Sequence, residues 1–96
     1  MKQTKQELIR NLEAQAEMCI RQGCSYDLQE NPRQAEQQYL QALRILQELI
    51  NRTGNRIYGE KAGEICLSLA DLSMQQGNMH GADRYYVQAM EFGAQI

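Results

Sequence analysis

The feature that most constrains this chain is a repetition. The segment "NPRQAEQQYLQAL" (31–43) places Ala35, Tyr39 and Ala42 at helical spacing, and "NMHGADRYYVQAM" (78–90) repeats the scheme 47 residues later with Ala82, Tyr86 and Ala89. A chain of 96 residues that writes one amphipathic helix twice is expected to fold as two copies of one unit within a single domain. Apolar residues make up 43% and charged residues 23%, and there is one proline, Pro32. Ala, Leu, Gln and Glu abound, with Met beside them, which favours helix nearly throughout.

Four helices follow from the apolar periodicity and its breaks. The first is expected over about 5–28, with Leu8, Leu12, Ala16, Cys19, Gly23 and Tyr26 along one face. Asn31 and Pro32 read as the N-cap and first position of a second helix, which runs to about Asn51 with Ala35, Tyr39, Ala42, Leu46 and Leu49 inward. "NRTGN" (51–55) is the clearest break, with Gly54 suited to a left-handed terminator. A third helix is expected over about 56–76, burying Ala62, Cys66, Leu69 and Ala70, although Gly59 and Gly63 weaken its start. Gly77 and Asn78 separate it from a fourth over about 79–92. Short connections imply antiparallel hairpins, so the fold class is all-α.

The small–aromatic pattern resembles the tetratricopeptide repeat (TPR). Gly23, Tyr26, Pro32, Ala35, Tyr39 and Ala42 carry the resemblance in one copy. Leu69, Ala70, Gly77, Ala82, Tyr86 and Ala89 carry it in the other. The match covers about 16–49 and 63–96 within repeats of about 5–51 and 56–96. Three departures stand out. The family period is about 34 residues, so the helices here must be extended. Cys19 and Cys66 replace the large aromatic common early in the first helix of each repeat, and no polar capping helix follows the second copy.

The resemblance implies a short α–α superhelix that binds a protein or peptide and performs no catalysis, as an adaptor or chaperone-like subunit. In the family, the first helices of the repeats line a concave groove. Here that groove would present Glu17, Ile20, Arg21, Cys24 and Asp27, then Glu64, Leu67, Ser68, Asp71 and Met74. Acids and small apolar residues stand where well-known members hold a C-terminal carboxylate with Lys and Asn, which argues against that mode.

A repeat hairpin buries its apolar faces only by stacking, and about three are normally needed. The apolar arc of the fourth helix spans roughly 160° at ~100° per residue, wide for a helix with one neighbour. Tyr85, Met90, Phe92 and Ile96 are therefore expected to be covered by a second copy in an isologous homodimer. A purely structural dimerisation unit is the alternative reading.

Other chemistry finds little support. The net charge is −2 and the pI about 5.3. No global positive field draws the chain to nucleic acid, and Arg52, Arg56 and Lys61 form only a small basic patch, so a nucleic-acid-binding repeat ranks last. Apolar runs are too short to cross a membrane, and the start lacks the apolar core of a signal peptide, so a cytoplasmic protein is expected. Cys19, Cys24 and Cys66 suit free thiols in a reducing compartment: Cys19 and Cys24 lie roughly 140° apart on one helix and cannot pair. They show no C-x-x-C spacing, and His80 is the sole histidine, expected to be a neutral surface residue. No metal, cofactor or catalytic residue is expected.

Overall fold

The computed structural model describes residues 4–93, which form four helices and no strand. They are α1 (Lys5–Leu28), α2 (Pro32–Thr53), α3 (Arg56–Gln75) and α4 (Met79–Glu91). The backbone of α1 packs on α2, α2 on α3 and α3 on α4, giving a slab of 48 × 27 × 15 Å. The expected all-α class and both hairpins are present.

Each helix begins where a side chain or a proline deals with the free N–H groups of the first turn. Thr4 accepts from the Glu7 amide at 3.1 Å, Asn55 from Ile57 at 3.1 Å and Asn78 from Gly81 at 2.9 Å. Asn31 differs from expectation. It precedes α2, but its side chain makes no capping bond and donates instead to Gln34 Oε1 at 3.1 Å. Pro32 at the first position has no N–H, so the first turn has one free donor fewer to satisfy.

The two hairpin turns are built alike. The Asn31 amide donates to the Tyr26 carbonyl at 2.9 Å, and 47 residues on, Asn78 donates to Ser73 at 2.8 Å. A left-handed residue sits before each asparagine, Glu30 (φ 58°) and Gly77 (φ 75°). This is the six-to-one bond that closes a helix and redirects the chain.

The core runs along the slab. It includes Leu12 and Ala16 from α1, Tyr39, Leu43, Leu46 and Leu49 from α2, Tyr58, Ala62, Ile65, Cys66, Leu69 and Leu72 from α3, and Ala89 from α4. Every residue expected inward on α2 is buried, as are the four on α3. On α1, Leu8 and Tyr26 are only half-buried. Gly23 is needed where it stands: a Cβ there would lie 2.7 Å from the Tyr39 ring.

Candidate functional site

Helices α1 and α3 stand side by side without backbone contact, and long side chains span the gap between them. The Tyr58 hydroxyl donates to Glu13 Oε2 at 3.0 Å, and Lys61 Nζ lies 3.6 Å from Glu17 Oε1. Below these bridges a cleft of about 80 Å³ is floored by Ala16, Ile20, Leu46 and Leu49. Its volume suits a single aliphatic side chain. Arg21 adds a looser contact to Glu17 at 3.9 Å, with its own side chain 83% exposed. Exposed pairs of this kind contribute little stability, so the rim can exchange partners at small cost.

Burial of Tyr58, its bond to Glu13 and that carboxylate's charge all hold its hydroxyl proton more firmly than usual. Burial does the same for Tyr39, whose hydroxyl donates to Cys24 Sγ at 3.2 Å. Both tyrosines therefore act as neutral donors that tie elements together.

The expected groove residues divide into three groups. Glu17 and Ile20 line the cleft with Glu13, Tyr58 and Lys61. Arg21, Cys24, Asp27, Glu64 and Asp71 are exposed, and Ser68 is half-buried. Leu67 and Met74 are not among the residues lining the cleft: Met74 Sδ accepts from the Tyr86 hydroxyl of α4 at 3.6 Å, and Leu67 packs on the core. Sequence reasoning missed Glu13, Tyr58 and Lys61 as cleft residues. The spacing of Glu13 and Glu17 to Ile20 along α1 was available as a signal; the reach of Tyr58 across to α1 was not.

The expected dimer face also divides. Tyr85 and Phe92 are half-buried and packed on the core. Glu36 of α2 and Cys66 add to burial in raising the Tyr85 hydroxyl. Phe92 shares a cleft with Gln47, Ile50 and Asn51 of α2. The breadth of the α4 arc thus has an internal cause, since its side chains reach α2 as well as α3. Met90 is 54% exposed, and Ile96 lies outside the described residues.

Cys19 and Cys66 are buried and Cys24 is exposed, all three as free thiols. Burial, with Glu91 as a lesser cause, pushes the Cys66 thiol up to about 11. His80 is exposed on the first turn of α4. Among the described residues no three His, Cys, Asp or Glu side chains gather as metal ligands, and no helix is long and apolar enough to cross a membrane.

Residues 2–95 match a bacterial family described as "Uncharacterized protein conserved in bacteria (DUF2225)". The chain belongs to the DUF2225 family. No curated protein and no solved structure matches it. This DUF2225 chain therefore takes its functional reading from its own surfaces.

Proposed function

We propose that this DUF2225 chain is a non-catalytic protein–protein interaction module, an adaptor or chaperone-like subunit built from two TPR-like hairpins. The observation that supports this reading is the cleft between α1 and α3, where Ala16, Ile20, Leu46 and Leu49 are flanked by Glu13, Glu17 and Tyr58, with Lys61 the one cation in the lining. Glu64 and Asp71 continue the acidic character along α3 without an ion pair among the described residues. A segment presenting one aliphatic side chain between cationic neighbours fits both the volume and the charge.

The test uses synthetic peptides carrying one leucine flanked by lysines, or by glutamates, and titrates each by fluorescence anisotropy. The lysine-flanked peptide is expected to bind, more weakly as salt rises, and to lose at least about tenfold in affinity against Ile20→Asp. Equal binding of both peptides, or binding indifferent to Ile20→Asp, would overturn the reading.

A second reading, a structural homodimerisation unit, is favoured by one specific observation. Met79, Val87 and Met90 are each at least half exposed on a 13-residue helix.

A further inference from the structure

The 47-residue register allows each exposed position at the end of the slab to be compared with its counterpart inside it. On α3, the side that packs toward the first hairpin carries Tyr58, Ala62, Ile65, Leu69 and Leu72, all buried. Their counterparts on α1 are Asn11, Gln15, Met18, Gln22 and Ser25, all exposed. The α1 end is thus polar apart from one methionine, as an end that no hairpin stacks upon should be.

The α4 end is the opposite. In the first hairpin, which the second follows, Tyr39 and Leu43 are buried and Leu40 is half-buried. Their counterparts are Tyr86, half-buried, Met90, 54% exposed, and Val87, 50% exposed. Pro32, half-buried, corresponds to Met79, 57% exposed. Met74, 46% exposed, has an exposed counterpart in Asp27 and joins this surface instead through the Tyr86 hydroxyl that bonds its sulfur at 3.6 Å. Where the register calls for a surface that receives a helix, the sequence keeps it apolar and enriches it in methionine, which adapts its shape to a partner.

We propose that the outer face of α4, with Met74 of α3 beside it, docks on the same face of a second copy across a two-fold axis. The asymmetry of the two ends selects this arrangement. Head-to-tail stacking would set Met79, Val87 and Met90 against the α1 face of Asn11, Gln15, Met18, Gln22 and Ser25, polar but for one methionine, and would give a ring or an open filament rather than a pair. Pairing like ends matches apolar to apolar and closes at two chains. Four side chains at about half exposure, each offering on the order of 100 Å², withdraw roughly 800 Å² of apolar surface in the pair. With the rim of α4, the total passes the ~1,000 Å² that a specific interface needs, near its lower limit. The dimer is therefore concentration-dependent. It does not depend on whether the α1–α3 cleft holds a peptide.

The experiment is sedimentation velocity over a concentration series. The chain is compared with the double variant Val87→Lys, Met90→Lys and with Met18→Lys at the opposite end. The mass is expected to rise from 11.1 kDa to twice that value and stop there. Val87→Lys with Met90→Lys raises the dimer dissociation constant at least about tenfold while helicity by circular dichroism is unchanged. Met18→Lys leaves dimerisation as it was. In a Cys24→Ser background, Val87→Cys is expected to form a disulfide-linked dimer with itself, and Met18→Cys is not. A chain that stays monomeric at all concentrations would overturn the proposal and open this face to a different partner. So would a mass that climbs past two copies, or dimerisation indifferent to the lysines.

Discussion

The two hairpins share a turn and a register but not an interior. In the first, Gly23 leaves room for the Tyr39 ring, which is 4% exposed and ends on Cys24 Sγ. In the second, Ala70 stands at the position of Gly23, and Tyr86 stays half-buried with its hydroxyl on Met74 at the surface. Ala70 carries a methyl at the register position where Gly23 has none. The first copy is also covered on its far side by the second, whereas no hairpin covers α4 among the described residues. Identical residue types in identical register therefore carry different energies: the same tyrosine is a keystone in one copy and a surface contact in the other.

The sharpest way to break that comparison is to truncate both rings. Tyr39→Ala should cost ~4 kcal/mol, in line with deleting a buried aromatic side chain, and Tyr86→Ala only about 1 kcal/mol. Urea unfolding of the two variants, with slopes checked for equality, measures both. Equal losses would mean that Tyr86 is as well covered as Tyr39.

The cysteines of the two copies give a smaller contrast. Cys66 is fully buried under neighbours on both sides, and its thiol is raised from 9.0 to about 11, while Cys19 is raised by burial alone. A folded state that holds its proton longer than the unfolded chain loses stability as pH rises. The contribution is complete below about pH 9 and gone above pH 11. Cys66 should account for up to ~2 kcal/mol of the alkaline loss. Stability measured from pH 8 to 11 should fall less steeply in Cys66→Ala than in the unchanged chain.

Gly23→Ala follows. A Cβ 2.7 Å from the buried Tyr39 ring forces a displacement, which overpacked cores resist at ~1–3 kcal/mol. The better helix propensity of alanine returns up to ~1 kcal/mol, so a net loss of about 1 kcal/mol is expected. A gain in thermal midpoint would show that the ring moves freely.

These contrasts also explain what could be seen before the fold was. Helix limits were legible because Asn, Pro and Gly mark them at Asn31, Pro32, Gly54, Gly77 and Asn78, and burial on α2 and α3 followed the 3.6-residue period. The cleft was only half legible. Ile20 and Glu17 lie on the face of α1 that a helical wheel identifies, but Tyr58 reaches them from 45 residues away in sequence through Glu13. A wheel treats each helix alone, so it could not tell that Tyr85 and Phe92 turn toward α2 while Val87 and Met79 remain outside. That distinction appears only when the two copies are laid on each other, because register, not hydrophobicity, says which side the next hairpin would cover.

The turns offer the smallest effect and the cleanest comparison. Both close with the same bond to the carbonyl five residues back, yet one holds Glu30 at φ 58° and the other Gly77 at φ 75°. A left-handed non-glycine residue costs about 1–2 kcal/mol, which glycine avoids. Glycine also loses more freedom on folding, which offsets roughly 0.5–1 kcal/mol of that saving. Glu30 is exposed and makes no side-chain bond among the described residues, so nothing else is forfeited. Glu30→Gly should therefore stabilise the chain by about 0.5 kcal/mol, and Gly77→Ala should destabilise it by a little more, read as opposite shifts of the urea midpoint. If both shifts had the same sign, the two turns would not be the one device repeated, and the register that joins the two hairpins would fail at the point where it is most closely kept.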